Sequence, residues 1–173
     1  MMGSGGLIVM DEKTCMVDVA RYFVNFLIDE SCGKCTPCRE GLHVLNNTLK
    51  RICSGEGKEG DIEFLEEASE TIIETSLCQL GGSAPNPVLS TIKYFREEYE
   101  EHIKHGKCRA GICKPLITYS INESCTGCTI CMKKCPTGAI TGVLKELHEL
   151  DTEKCIKCGI CYEVCNFSSV EVK

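Results

Sequence analysis

Between residues 125 and 166 one pattern occurs twice: Cys125-x2-Cys128-x2-Cys131-x3-Cys135-Pro136 and, thirty residues on, Cys155-x2-Cys158-x2-Cys161-x3-Cys165-Asn166. Nothing else in the chain restricts the fold so tightly, since eight thiols in so short a stretch must be satisfied together. Three thiolates at steps of three wrap one corner each of a cubane, while the fourth, displaced onto a short helix, reaches across to the other one. Cluster I is then expected on Cys125, Cys128, Cys131 and Cys165, and cluster II on Cys155, Cys158, Cys161 and Cys135. A pair of zinc ribbons is the competing reading. It is disfavoured because zinc motifs separate two C-x-x-C pairs rather than tripling them.

Sixteen cysteines in 173 residues also raise the possibility of a disulfide scaffold. Spacing argues against it, because C-x-x-C runs hold neighbouring thiolates on one metal centre and suit an intracellular metalloprotein. The first residues carry no basic n-region, and the apolar run after them is only Leu7 to Met10, so a signal peptide is not expected. No segment approaches the roughly 20 apolar residues of a spanning helix. The expected location is therefore the cytoplasm. A formal charge of -6 sets a nucleic-acid scaffold built on zinc at a disadvantage. The sequons at Asn46 and Asn122 are taken as chance.

The tail resembles the two-[4Fe-4S] bacterial ferredoxin domain over about residues 117 to 173. Asn166 departs from the proline usual after the last cysteine, which weakens a turn but removes no ligand. Ahead of the tail the periodicity is helical. Met16, Val19, Ala20, Phe23, Val24 and Leu27 predict a helix over 14–30. Thr36 as N-cap with Pro37 at the first position predicts a second, burying Leu42, Leu45, Leu49 and Ile52 and ending at Ser54-Gly55. Ile62, Leu65, Ala68 and Ile72 give a third over 61–75. A fourth opens at Asn86-Pro87, buries Val88, Ile92, Phe95, Tyr99 and Ile103, and ends at Gly106. The expected fold class is α+β: a four-helix iron–sulfur bundle followed by a small ferredoxin-like domain. Its expected divisions are a residual strand within 1–13, a bundle over 14–114 and the ferredoxin-like domain over 115–173.

A further metal motif lies in the helical part, Ser31-Cys32-Gly33-Lys34-Cys35-Thr36-Pro37-Cys38-Arg39-Glu40-Gly41, with Cys78 forty residues on. Three cysteines around a helix start with a distant fourth again suit a cubane, and helix N-terminal amides stand ready to hydrogen-bond its sulfurs. Spacing alone leaves zinc or redox chemistry open. Residues 3 to 87, including Met10-Asp11-Glu12 and the SCGKCTPCREG run, resemble the C-terminal part of the NADH-binding flavoprotein subunit of respiratory complex I and of NAD-linked soluble hydrogenases. That resemblance implies a [4Fe-4S] cluster on Cys32, Cys35, Cys38 and Cys78 that takes electrons from FMN. The family's FMN and NADH pockets lie upstream of where this chain begins, and Gly3 to Gly6 is too weak a phosphate cradle to replace them. The chain is therefore read as part of a larger subunit, with no flavin or nicotinamide site of its own.

With a ferredoxin-like tail added, the arrangement looks like the beta subunit of electron-bifurcating [FeFe]-hydrogenases or of related NAD(P)-linked formate dehydrogenases. The implied function is an electron relay that splits a flavin's two-electron chemistry into single steps. Implied partners are a hydrogenase or formate dehydrogenase catalytic subunit, a small [2Fe-2S] subunit and soluble ferredoxin. A free-standing diffusible ferredoxin-like carrier is the alternative. Three cubanes use twelve cysteines and leave Cys15, Cys53, Cys108 and Cys113. Cys53, Cys108 and Cys113, with His102 on the inward stripe of the fourth helix, compose a Cys3His zinc site, for which His105 is the rival imidazole. Cys15 is read as a packed free thiol. His43 and His148 are read as surface or packing residues, Lys34 and Arg39 as solvated, Arg96 to Glu101 as an exposed helix face, and Tyr162 and Phe167 as packing around clusters.

Overall fold

The apolar repeat of the first hundred residues is realised as four long helices in the computed structural model, which describes residues 7–172. They are α1 (Met16–Glu30), α2 (Thr36–Cys53), α3 (Asp61–Thr75) and α5 (Asn86–Lys104), with a one-turn α4 (Gln79–Ser83) between the last two. α1 packs on α2 and α5, α2 on α3, and α3 on α5 and α4. Between them lie Val17, Ala20 and Val24, then Leu42, Leu45, Leu49 and Ile52, then Ile62, Leu65 and Ile72, all buried. Burying such a side chain contributes about 1.5 to 3 kcal/mol, so hydrophobic burial is a main source of this unit's stability.

Three details of the helical part differ from expectation. Leu7 to Met10 form no strand and are exposed, because no ladder partner exists for them among the described residues. Gly3 to Gly6, read as too weak a phosphate cradle, lie outside the described residues. Cys35 rather than Thr36 is the N-cap of α2, which places Thr36 and Pro37 in its first turn. In α5 the backbone at Phe95 leaves helical geometry (φ -136°, ψ 34°), and the kink turns Phe95 outward to 42% exposure. Beyond it the buried face is Glu98, Tyr99 and His102, so the Arg96 to Glu101 run is not one exposed face. Thr91 Oγ1 sits 2.8 Å from Pro87 O and 2.8 Å from the Tyr99 hydroxyl, spanning the kink. With the threonine proton directed to the carbonyl, Tyr99 is the donor to Thr91.

The first unit closes at Leu116 and the second begins at Ile117, two residues later than the composition change at Lys114. The reason is a single 3-10 turn over Lys114–Leu116, in which Leu116 N–H donates to Cys113 O (2.8 Å) and the leucine is buried. The second unit shows the thirty-residue repeat in its backbone. β1 (Tyr119–Ile121), α6 (Ile130–Lys134) and β2 (Ile140–Thr141) are matched by β3 (Glu149–Leu150), α7 (Ile160–Glu163) and β4 (Val170–Val172). β1 pairs antiparallel with β4, Ser120 opposite Glu171, and β2 with β3, Ile140 opposite Leu150. Each two-stranded sheet therefore takes one strand from each repeat. The described residues are helix-rich with a few short strands.

Candidate metal centres

In the tail, Cys135 at the end of α6 faces the second run of thiols. It lines one cavity with Cys155, Cys158 and Cys161, closed by Tyr119, Ala139, Ile140 and Ile160. Interleaving of the repeats puts it there, because the strand after Cys135 pairs with the one entering the second run. Backbone amides already point at sulfur: Ala139 N–H to Cys135 (3.3 Å), Lys157 N–H to Cys155 (3.4 Å) and Ser169 N–H to Cys165 (3.3 Å). Burial, then the neighbouring thiols Cys155 and Cys158, push the Cys161 pKa up to about 11, and burial likewise raises Cys131. Thiols crowded in this way are relieved by a cation, so the donor set and its amides fit an iron–sulfur cluster. Tyr162 and Phe167 are about half exposed rather than packed around the thiols.

In the helical unit, two thiols of the first motif and its distant partner occupy helix N-caps: Cys35 begins α2 and Cys78 begins α4. The backbone N–H groups of Leu77 and Cys38 hold the Cys35 thiol below its usual range, which ties the Cys78 loop to the first motif. Gly81 of α4 comes so close that an added Cβ would lie 3.3 Å from the Cys38 Cβ. Ser31 Oγ lies 3.3 Å from Cys38 Sγ and also accepts Gly33 N–H. Arg39 does more than sit in solvent: its guanidinium donates to Gly33 O (2.8 Å) and pins the Cys32 to Cys38 loop. Cys32 and Cys78 are exposed while Cys38 is buried. His43 is exposed.

A third group is wholly buried. Cys15, His102, Cys108 and Cys113 place their ligand atoms within 4.8 Å of one another. Cys15 Sγ is 3.4 Å from His102 Nε2 and 3.8 Å from Cys113 Sγ. Around a tetrahedral zinc, bonds of about 2.3 Å to sulfur and 2.0 Å to nitrogen put ligand atoms about 3.5 to 3.8 Å apart. His102 Nδ1 donates to Glu98 O (2.7 Å), which leaves Nε2 as the nitrogen facing the thiols. Hydrogen bonding to Cys108 raises Cys15 and Cys113 above the ordinary thiol range and lowers Cys108 in return. Burial acts to lower the His102 pKa, but hydrogen bonds to Cys108 and Cys15 outweigh it and raise it to about 10.

The group differs from the expected set in one residue: it contains Cys15, whereas Cys53, beside Cys113 at the end of α2, lies outside the four. Cys15 is the N-cap of α1, and Met16 N–H donates to Glu98 Oε2 (3.0 Å), one turn before His102. Packing of α1 on α5 thus delivers a thiol 87 residues from the imidazole it meets. His105 is exposed.

Comparison with known proteins places both units. Residues 18–102 match the NADH-ubiquinone oxidoreductase-F iron-sulfur binding region, and residues 124–169 match a 4Fe-4S dicluster domain. The two matches follow one another along the chain, an oxidoreductase iron–sulfur binding region and then a dicluster domain. Among its relatives, the NADP-reducing hydrogenase subunit HndC of Solidesulfovibrio fructosivorans is 50% identical over 170 residues, 98% of this chain and 35% of that protein. The F component of the NADH-quinone oxidoreductase of Mycobacterium bovis is 44% identical over 108 residues, 62% of this chain and 24% of that one. A solved NAD+-reducing [NiFe]-hydrogenase matches with TM-score 0.52 and 37% identity over 55% of this chain and 17% of its own. The chain thus spans about a third or less of the length of these relatives.

Proposed function

We propose that this chain is the electron-relay segment of an NAD(P)-linked iron–sulfur flavoprotein, passing single electrons between a flavin site and partner subunits. The observation that carries it is the cavity shared by Cys135 and the second cysteine run, which supports the interleaved ligand pattern of the tail. The ligand sets are Cys125, Cys128, Cys131 and Cys165, then Cys155, Cys158, Cys161 and Cys135, then Cys32, Cys35, Cys38 and Cys78. When bound, such clusters supply one-electron redox capacity. The residues of the chain do the rest. Amides of Ala139, Lys157 and Ser169 hold sulfur charge, apolar Ile140 and Ile160 exclude water, and the exposed Cys32 and Cys78 face whatever delivers electrons. The four long helices read as a bundle that fixes the geometry of that third site.

FMN and NAD(P) belong, on this reading, to a part of the protein outside the chain, and a hydrogenase or formate dehydrogenase catalytic subunit, a small [2Fe-2S] subunit and soluble ferredoxin are its partners. Cys15, His102, Cys108 and Cys113 hold a structural zinc, which ties the start of α1 to the end of α5. The match of 98% of the chain to part of a hydrogenase protein favours this over a free carrier.

Metal analysis of the anaerobically purified protein tests the reading: about twelve irons and one zinc per chain are expected. In Cys108→Ser zinc falls to well below one per chain while iron holds. Zinc alone in the wild type would end the relay reading, and a zinc-free protein with full iron would end the zinc site.

A further inference from the structure

Among the described residues of the tail, His148 stands out as a fully buried polar side chain with a nitrogen left over. It is 1% exposed, its Nδ1 lies 3.8 Å from Cys125 Sγ, and its Nε2 has no hydrogen-bond partner. Burying an unpaired imidazole nitrogen costs about 1 to 3 kcal/mol, so a residue that only filled space would be replaced by leucine or phenylalanine at a gain. The surroundings are shaped to hold it. A Cβ at Gly142 would come within 2.9 Å of the ring, so only a glycine leaves room there. The same hairpin is fastened to the Cys125 to Cys128 loop, where Lys145 N–H donates to Gly127 O (3.0 Å), and a Cβ on Gly127 would meet the backbone of Lys145 and Glu146. The ring and the cysteine loop are therefore held as one body.

The two halves of the repeat differ at this point. The residue thirty positions before His148 is Thr118, which is exposed. Cys155, the counterpart of Cys125, receives a backbone N–H from Lys157. A ligand thiolate can only accept, so Nδ1 is the donor to Cys125. Hydrogen bonds to ligand sulfur withdraw negative charge and favour the reduced state, and they count for more in a water-excluded site.

We infer that His148 is a positioning residue that raises the reduction potential of the cluster held by Cys125 above that of the cluster held by Cys155, so that one electron entering the tail rests on the Cys125 side. The inference rests on the ligand sets proposed above. A hydrogen bond to a charged acceptor corresponds to about a tenfold bias in where that electron resides.

The test is an EPR-monitored redox titration of the full chain carrying its clusters. His148→Phe, which keeps the volume and loses the donor, should lower one midpoint potential and leave the other two and the iron content unchanged. His148→Asn, whose amide nitrogen reaches the Nδ1 position, should restore most of the shift. In wild type labelled with 15N-histidine, the first electron in the tail should show a coupled imidazole nitrogen that vanishes in His148→Phe. Unchanged midpoints with full iron would overturn the role of His148 and leave the relay reading standing, whereas absence of tail clusters from the wild type would overturn the reading itself. If His148→Phe loses iron, the labelled wild type decides: no imidazole coupling refutes the inference.

Discussion

The two units solve the same problem, a stable interior, with different materials. In the helical unit the interior is mainly aliphatic, with Leu42, Leu45, Leu49, Ile52, Leu65 and Val88 all fully buried along three helices, so that the buried Cys15, Cys38, Cys108 and Cys113 are a minority. In the tail the buried apolar set is short, Ile117, Tyr119, Ala139, Ile140 and Val170, and two cysteines, Cys131 and Cys161, join it. Its strands are two or three residues long and its helices four or five, too short to persist on their own. The comparison predicts that the helical unit folds on hydrophobic burial and accepts a cluster afterwards, whereas the tail depends on its proposed clusters for its fold.

The largest effect should come from stripping iron. Removing it from the full chain by chelation should leave the far-UV helical signal of residues 16–104 nearly intact. Amides of β1 and β4 should exchange as in an unfolded chain, read by hydrogen-exchange mass spectrometry. Persistent protection at Tyr119 to Ile121 would show that the short apolar core suffices, and the contrast between the units would collapse.

Next in size are matched losses of one interior member on each side. Cys128→Ala should abolish a tail cluster, with about four irons lost, while the EPR signal of the helical-unit cluster remains. Leu49→Ala should cost about 2 to 5 kcal/mol of helical-unit stability, read by denaturant unfolding, with the tail EPR signals unchanged. Loss of every cluster signal in Cys128→Ala would mean that the units are not independent.

How legible each unit was in the sequence follows the same division. Helices announce themselves by local spacing, so α2 and α3 are readable to within a residue from Leu42, Leu45, Leu49 and Ile52 and from Ile62, Leu65 and Ile72. The failure in α5 is local too: Phe95 keeps the apolar spacing, but spacing assumes an unbroken helix and the kink rotates it outward. The cluster runs are equally local. What sequence hides is convergence from afar. Cys15 shares no spacing with Cys108 or His102, and only the docking of α1 on α5, marked by Met16 N–H on Glu98, brings it in. His148 was hidden likewise, 23 residues from Cys125 across a hairpin whose register no motif encodes.

The smallest effects sharpen the comparison through backbone strain alone. Gly60, the N-cap of α3 (φ 90°), and Gly138, after Cys135 (φ 65°), are both left-handed, and a Cβ at either would meet nothing within 4 Å. Alanine at each therefore adds only conformational strain, about 1 to 2 kcal/mol. In Gly60→Ala that cost falls on a unit whose stability comes from burial, and it should appear directly as a lower unfolding midpoint. In Gly138→Ala it falls on a corner held through the cluster ligand three residues earlier. The repeat shows that this corner tolerates a side chain, since the matching position is Ser168 at φ 49°. Gly138→Ala should leave helical-unit unfolding unchanged and show itself only as faster iron release under chelator. An equal drop in the unfolding midpoint for both variants would mean that metal does not dominate the stability of the tail.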